Sequence, residues 1–382
     1  MMAARSFSTT APQGDGLAKS LGEARSHVLS PTCGIVFVAG ALARQTAQVG
    51  ALIRSAWKGV PALVIPGAGI LTERGEVEGA SAASGILWSG GRVNPFAVAD
   101  DATEFGDALS RSLSSLMPKE KTSTTLLFPR PEAFPPAALD QLPSIAPSTF
   151  LFGAGAVGGS GVCVTSSGEV LDGRAVGLIV TGLATPIVEA SPACRLLTPL
   201  APIDEASGGM VLSVGGRAAL DLLSSSAAGA TSQSGSQPVV FAAIAEDPPD
   251  EEGVERFVVR PVRGIDPSRR GVMVGPDARV GARFAFAVRD GAAARTHLEG
   301  AARRVAKNAL GSAPGFGIFL TCSGRGQGLY GAPDVESRIL RQRFGDLPIA
   351  GMHSAFEIAP AGAGRAQMQL FTGVLALFRS PS

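Results

Sequence analysis

Short apolar runs that stop at glycine or proline are the feature of this sequence that most limits its fold. The chain has 49 glycines and 27 prolines among 382 residues, and these two residues interrupt helices and strands more strongly than any others. Runs such as 33–38 and 62–65 are therefore predicted to be short buried strands. Helical periodicity is confined to a few segments, of which 41–57, 103–117 and 292–310 are the longest.

The predicted strands and helices alternate irregularly. They form neither strict strand–helix–strand repeats nor an all-strand series with evenly spaced turns. We therefore expect a mixed α/β (α+β) fold in which each domain is a mixed β-sheet with helices packed on it. A chain of 382 residues exceeds one ordinary core, so we predict two domains, at 29–184 and 185–382. Residues 224–237 are rich in serine, alanine and glycine without periodicity, and are predicted to be a flexible insertion.

The first 28 residues (1–28) are predicted to be a disordered leader. Before Asp15 they contain Arg5 and several hydroxyl residues but no acid, a composition typical of mitochondrial presequences. The spacing of Arg5, Phe7 and Thr10 also resembles a motif at which fungal mitochondrial precursors are trimmed. A frayed terminus is the alternative, because the segment is short for a complete presequence. A mitochondrial location and a cytoplasmic one therefore both stay open.

Charge and cysteine spacing argue against several classes of function. A formal net charge of +1 does not supply the basic field that nucleic-acid-binding proteins need, and no apolar run is long enough to span a membrane. The four cysteines are far apart and form no C-x-x-C pair, which argues against a zinc site and a disulfide framework. We expect a protein of a reducing compartment without metal, nucleic-acid partner or membrane contact.

The sequence contains one motif that resembles a cofactor site. Gly153, Gly155 and Gly158 match the G-x-G-x-x-G pattern of dinucleotide sites, which requires a helix after the glycines to hold the pyrophosphate. The residues that follow, 162–165, are predicted to be a strand. A P-loop, an H-E-x-x-H motif and a G-x-S-x-G elbow are absent from the sequence. We therefore expect no cofactor and no catalytic residues.

The glycine-rich loop from Cys322 to Gly331 is the candidate functional site. Its closely spaced glycines leave backbone N–H groups free to approach a ligand, and Arg325 stands among them as an anion-binding guanidinium would. The alternative is a tight turn in which Arg325 makes an internal salt bridge with Asp290 or Glu357. The candidate ligand-binding residues are Cys322, Ser323, Gly324, Arg325, Gly326, Tyr330, His353, Glu357, Arg289 and Asp290.

The loop is one of a series of short motifs that occur in order along the second half of the chain. They are PACR at 192–195, VGGRAAL at 214–220, VRPVRGID at 259–266, RD at 289–290 before a helix, CSGRGQGLYG at 322–331, LPIAGMHSAFEIAP at 347–360 and LFTGVLALF at 370–378. Each motif is weak alone, but their shared order over about half of the chain resembles the C-terminal domain of the FIST family, named after F-box and intracellular signal transduction proteins. The first half resembles the family's N-terminal domain more loosely, through 34–39, 61–69 and 153–180.

The resemblance implies an intracellular, non-catalytic sensory protein that binds a small ligand, with amino acids as the suggested class. In F-box relatives, which belong to ubiquitin ligases, the same domains recruit protein substrates, but no F-box-like helical segment is recognised before the first domain of this chain. The family's GEIGP turn is represented by residues 356–360. Glu357 is kept, whereas Phe356 and Ala359 replace glycines, which predicts altered access of a ligand to the backbone at that turn.

Three functions are compatible with these observations. In the first, a small molecule binds between the two domains, with Arg325 on a ligand carboxylate and Glu357 on an amine. In the second, the chain recruits a protein partner through the insertion at 224–237 and an acidic loop at 246–252. In the third, Cys322 is a nucleophile, His353 its base and Glu357 the orienting acid.

Overall fold

The computed structural model describes residues 2–10, 15–101, 103–116, 122–145, 149–229, 239–249, 253–311, 313–361 and 365–380. The strands are β1 Ala4–Thr9, β2 Cys33–Ala39, β3 Ala62–Pro66, β4 Gly69–Thr72, β5 Gly75–Glu78, β6 Ala82–Trp88, β7 Arg92–Val98, β8 Ser123–Pro129, β9 Thr149–Ala154, β10 Val162–Val164, β11 Val170–Asp172, β12 Ala175–Thr181, β13 Ile187–Pro192, β14 Cys194–Leu196, β15 Ala201–Ser207, β16 Met210–Val214, β17 Arg217–Ala218, β18 Val240–Ala245, β19 Val258–Pro261, β20 Gly264–Asp266, β21 Gly271–Met273, β22 Arg283–Arg289, β23 Pro314–Cys322, β24 Ile349–Ser354, β25 Glu357–Ala361, β26 Arg365–Gln369 and β27 Thr372–Arg379. The helices are α1 Asp15–His27, α2 Thr46–Ala56, α3 Phe105–Ser114, α4 Ala138–Ile145, α5 Ala219–Gly229, α6 Gly291–Asn308, α7 Gln327–Tyr330 and α8 Val335–Phe344, with 3-10 turns at Gly40–Arg44 and Pro131–Ala133.

The strands form four sheets. Sheet 1 has the order β1-β6-β2-β3-β10-β11, sheet 2 the order β26-β25-β9-β8-β12-β7, and sheet 3 the order β13-β27-β23-β24-β4-β5. Sheet 4 runs β19-β18-β22-β15-β16-β21-β20, with β14 added on β22 and β17 on β16. The inner faces of sheets 1, 2 and 3 enclose one apolar core, which includes Phe37, Phe128, Phe152, Phe316 and Met352.

Each of the first three sheets contains one pair of parallel strands. The pairs are β2 with β3, β8 with β9, and β23 with β24. Parallel neighbours need a crossover connection, and α2, α4 and α8 lie in these three connections. Two helices then cover the outer face of each sheet: α1 and α2 on sheet 1, α3 and α4 on sheet 2, and α6 and α8 on sheet 3. Helix α5 packs against sheet 4.

The predicted mixed α/β class, with helices packed on mixed sheets, is confirmed. Two sheets, however, combine strands from both halves of the chain. In sheet 2, β25 pairs with β9, and in sheet 3, β24 pairs with β4. The two halves are thus joined by backbone hydrogen bonds as well as by side-chain packing, and residues far apart in sequence meet on the same sheet face.

The prediction that residues 1–28 form a disordered leader is wrong for the part of them that the structure describes. Strand β1 pairs along its whole length with β6. Helix α1 buries Leu17 and Leu21, and the indole N–H of Trp57 donates to the Leu21 carbonyl at 2.9 Å. Although the segment is polar in overall composition, α1 has one apolar face, and burial of that face against the protein keeps the segment ordered. Residues 11–14 lie outside the described residues, and a mitochondrial location stays a prediction.

The flexible insertion predicted at 224–237 begins as a helix, because α5 continues to Gly229. Residues 230–238 lie outside the described residues, as do 250–252 of the acidic loop at 246–252. The protein-recruitment hypothesis depends on these two segments and stays a prediction. Within the described ranges, no helix combines the length and the apolar character needed to cross a membrane.

Candidate functional site

The glycine-rich loop leaves sheet 3 at the end of β23 and passes into α7. Ser323 is exposed and Gly324 half-buried, whereas Arg325 and Gly326 are buried. The loop therefore packs against the protein, with the Arg325 side chain in the protein interior. This geometry corresponds to the tight-turn alternative and not to an open cradle of backbone amides.

Arg325 forms an internal ion pair with Glu336. Its Nε donates to Glu336 Oε1 at 2.7 Å, and both side chains are completely buried. Burial lowers the pKa of Arg325, but Glu336, Tyr330 and Glu357 together outweigh burial, with Glu336 contributing most, and the pKa is raised. Arg325 Nη1 also donates to the Ser191 carbonyl on β13. The expectation that Asp290 or Glu357 would be the partner is wrong, because α8 packs on sheet 3 and brings Glu336 inward.

Tyr330 extends this pair into a network. Its hydroxyl donates to Glu336 Oε1 at 2.8 Å, and burial raises its pKa above the usual range. Arg295 on α6 donates from Nη2 to the Tyr330 carbonyl at 2.8 Å and lies 5.5 Å above the tyrosine ring. The network therefore ties α6, α7 and α8 together behind the loop.

Glu357 is fully buried at the start of β25. Burial raises its pKa well above the usual range for a glutamate. The Ser354 hydroxyl lies 2.6 Å from Glu357 Oε1 and 3.0 Å from the Thr321 carbonyl. A hydroxyl has one proton, so if it donates to the carbonyl, a protonated Glu357 completes the second hydrogen bond by donating to Ser354 Oγ. Burial thus favours the neutral form of the Glu357 carboxyl group.

Cys322 and His353 point to opposite faces of sheet 3. Thr321 is the register partner of His353, and Cys322 is the partner of Ser354, while side chains alternate between the faces of a strand. Burial, followed by the effect of Glu357, raises the pKa of Cys322 to about 11. This geometry contradicts the pairing of Cys322 as nucleophile with His353 as base. All four cysteines, each within the described residues, are buried and unbonded.

Arg289 and Asp290 fasten the loop to its surroundings. The Asp290 side chain caps α6 and accepts from Arg195 Nε at 3.2 Å. Arg289 donates to the Gly324 carbonyl and stacks over the Phe371 ring, 5.4 Å from its centroid. Both residues already have partners within the protein.

A second polar cluster lies on the helix-covered face of sheet 3, and sequence reasoning missed two of its members. His353 Nε2 is 3.8 Å from Glu76 Oε2, and Glu78 is the next residue of β5 on that face. Burial lowers the pKa of His353, and burial followed by the charge of Glu336 raises the pKa of Glu76 to about 7. The E-x-E spacing on a short strand is a signal that could have placed both glutamates on one face.

A cavity of about 630 Å³ lies beside β13, between α6 and the segment that leads into β19. Strands β13 and β19 are edge strands of sheets 3 and 4 respectively. Gln367 and Gln369 of β26 complete the lining. Three structural layers therefore meet at this opening.

Charged side chains of both signs line the cavity. Glu189 is nearly buried and accepts from Arg304 Nε at 3.0 Å and from Arg256 Nη2 at 3.2 Å. Arg303 on α6 and Asp247 after β18 also line the cavity. Neither has an ion-pair partner among the residues that the structure describes. The cavity thus offers one cation and one anion that form no ion pair within the described part of the chain.

The loop and the cavity share one wall. The Ser191 carbonyl accepts from Arg325, and the carbonyl of the next residue, Pro192, accepts from His297 Nδ1 at 2.7 Å. Pro192 and His297 both line the cavity. The buried arginine of the loop therefore holds the end of β13 in place without reaching the cavity itself.

The glycine motif at 153–158 has the context predicted for it. The element after the glycines is the strand β10, not a helix. The segment that contains these glycines therefore leads into no helix whose N-terminus could bind a pyrophosphate.

Comparison with known proteins finds matches along most of the chain. The FIST N domain matches residues 32–217 and the FIST C domain matches residues 219–360. The uncharacterized proteins Mb0898c of Mycobacterium bovis (strain ATCC BAA-935 / AF2122/97) and MT0897 of Mycobacterium tuberculosis (strain CDC 1551 / Oshkosh) are each 31% identical to the chain over 269 residues. MT0656 of the latter strain is 30% identical over 260 residues. In all three cases the match covers 66% of this chain and 67% of the relative.

Proposed function

The chain belongs to the FIST family, and we propose that it is a sensory protein that binds a small amino-acid-like ligand in the cavity beside β13. FIST domains are generally sensory, ligand-binding modules of signalling proteins. The observation that carries the proposal is the cavity itself, lined by Arg303 and Asp247, which form no ion pair among the described residues.

The size and place of the cavity support this function. Its volume of about 630 Å³ lies within the range of roughly 300–1,000 Å³ that small-molecule sites occupy. The wall at 188–192 belongs to the segment matched by the FIST N domain, and α6 belongs to the FIST C match. A ligand there would contact both domains, so its binding energy could change how tightly they hold each other.

The charges of the lining favour a zwitterion. Arg303 can pair with a carboxylate, and Asp247 can pair with an ammonium group. These residues replace Arg325 and Glu357 in the roles that the sequence suggested. Arg325 is already paired with Glu336, and burial favours the neutral form of Glu357, so neither offers the free charge of an exposed side chain.

A thermal-shift screen tests the proposal. The panel would contain the common amino acids, their decarboxylated amines and small dicarboxylic acids, with hits quantified by calorimetry. We expect amino acids to raise the melting temperature, while matched compounds that lack the amine or the carboxylate have smaller effects, because each loses one of the two ion pairs.

Gly300→Leu provides a variant that fills the cavity from α6, where Gly300 forms part of the lining. Gly22→Leu on α1 is the matched control, because position 22 is exposed and a Cβ there meets no atom within 4 Å. We expect Gly300→Leu to weaken binding at least tenfold and Gly22→Leu to leave it unchanged. If no compound stabilises the wild type, or if Gly300→Leu binds a hit as tightly, the proposal is wrong.

A further inference from the structure

Three donor side chains meet where β5 approaches β24 through β4. His353 is the register partner of Gly69, and Gly69 is the partner of Glu78, so His353 and Glu78 lie in one cross-strand row. Glu76 lies two residues before Glu78 and therefore on the same face. One ligand atom from each of the three side chains lies within 4.8 Å of the others.

His353 lacks the partners that a buried imidazole normally has. It is 1% exposed, and neither ring nitrogen has a hydrogen-bond partner among the described residues. Buried polar atoms are nearly always satisfied, so an unpartnered imidazole that faces two carboxylates indicates a missing ligand. Gly69 makes room for the ring, since a Cβ at that position would lie 2.9 Å from His353 Cδ2.

Backbone amides orient the two carboxylates. Glu76 Oε1 accepts from Ser337 N at 2.9 Å, at the start of α8. Glu78 Oε1 accepts from Gln327 N at 2.8 Å, in the glycine-rich loop. Gly326 permits this contact, because a Cβ there would lie 1.9 Å from Glu78 Oε2. Outer hydrogen bonds of this kind fix the direction in which metal-binding carboxylates point.

We propose that Glu76, Glu78 and His353 bind a divalent transition-metal ion, with Zn²⁺ and Mn²⁺ as the best-matched candidates. Imidazole and carboxylate donors suit both ions. Donor atoms about 2.0–2.2 Å from one ion lie at most about 4.4 Å apart, so atoms within 4.8 Å of one another need only a small adjustment, and Glu78 is exposed. Three protein ligands leave further positions for water.

The charge around the cluster favours a cation. Glu336, a further carboxylate near Glu76, is paired with Arg325, whereas neither Glu76 nor Glu78 has an ion pair with an arginine or lysine among the described residues. An ion at this cluster would join β5, from the FIST N segment, to β24, from the FIST C segment. The site lies apart from the cavity beside β13 and does not depend on the function proposed for that cavity.

Titration of the full chain with ZnCl₂ and MnCl₂ after chelator treatment tests the site, with calorimetry for affinity and ¹⁵N-edited imidazole NMR for location. We expect one ion per chain and a shift of the His353 ring signals on Zn²⁺ binding. Glu78→Gln, at an exposed position that leaves the core intact, is expected to weaken binding at least tenfold. Glu169→Gln, at another exposed glutamate, is the control and should bind as the wild type does.

Three outcomes would overturn the proposal. The first is the absence of saturable binding of either ion. The second is binding that Glu78→Gln leaves unchanged. The third is Zn²⁺ binding that does not move the His353 signals, which would place the ion elsewhere on the chain.

Discussion

Arg325 Nε lies 2.7 Å from Glu336 Oε1, and neither side chain has any exposure to solvent. The same guanidinium donates to the Ser191 carbonyl, one residue before the wall of the cavity at Pro192. The glycine-rich loop is therefore a clamp that positions β13, and other residues of that strand line the proposed ligand site. The loop therefore has a structural role, and the ligand-binding role that the sequence predicted for it is assigned to the cavity instead.

Removal of the Arg325 charge should be severely destabilising. Arg325→Met leaves the Glu336 carboxylate buried without its ion-pair partner, which typically costs about 3–5 kcal/mol. Urea unfolding measures the change, and the double variant Arg325→Met/Glu336→Met should recover part of the loss because no charge is then stranded. Arg341→Met, at an exposed position of α8, is the control. A cost at Arg325 no larger than at Arg341 would contradict the clamp.

Cys322 should be unreactive in the folded protein. Burial and the neighbouring Glu357 raise its pKa to about 11, so little thiolate is present at pH 8. We expect a thiol reagent such as Ellman's to label no cysteine of the native chain on the minute timescale and all four after denaturation. Rapid stoichiometric labelling that Cys322→Ser abolishes would restore the hypothesis of a reactive cysteine.

The stability of the folded protein should depend on pH because the pKa of Glu357 is raised in the folded state. An unfolded glutamate titrates near about 4.3, whereas folded Glu357 titrates well above the usual value because it is buried. The folded state therefore holds the Glu357 proton more tightly than the unfolded state does. The resulting stabilisation of the folded state is fully present below about pH 4.3 and is lost as pH rises through the pKa of folded Glu357. Glu357→Gln cannot titrate at this position. We expect wild type to lose stability relative to Glu357→Gln as pH rises from 4 to 8 in urea unfolding, and a constant or opposite difference would refute the assignment.

The first strand should contribute to stability. The Phe7 ring meets the Trp57 ring edge-on, with centroids 6.2 Å apart, and Gly85 leaves the space that the ring occupies. Phe7→Ala is expected to cost about 2 kcal/mol, less than for a fully buried phenylalanine. Ser8→Ala, at an exposed position of the same strand, should change little. Equal urea midpoints for the two variants would indicate that β1 is not held in place in solution.

The sequence identified Arg325 but not its partner. A lone arginine among glycines is visible as a local pattern, so the loop could be found without a structure. Glu336 could not be recognised in the same way. One acid in the first turn of a charged helix has the pattern of a solvent-facing residue, and only the packing of α8 on sheet 3 shows that it is buried.

The metal cluster depends on a strand pairing that local patterns do not reveal. Glu76 and His353 are far apart in sequence and meet because β4 joins sheet 3. Strand periodicity specifies which residues share a face of one strand, but not which sheet that strand joins. The same limitation explains why the class of fold was predicted while the exchange of strands between the two halves was not.

Imidazole NMR of the wild-type chain with a saturating hit from the amino-acid panel tests the central claim most directly. The chain has three histidines: His297 lines the cavity, His353 lies with Glu76 and Glu78, of which Glu78 contacts the glycine-rich loop through Gln327, and His27 is exposed at the end of α1. We predict that the ligand shifts the His297 ring signals and leaves those of His353 and His27 in place. Shifts at His353 without shifts at His297 would place the ligand at the loop and contradict a ligand site beside β13.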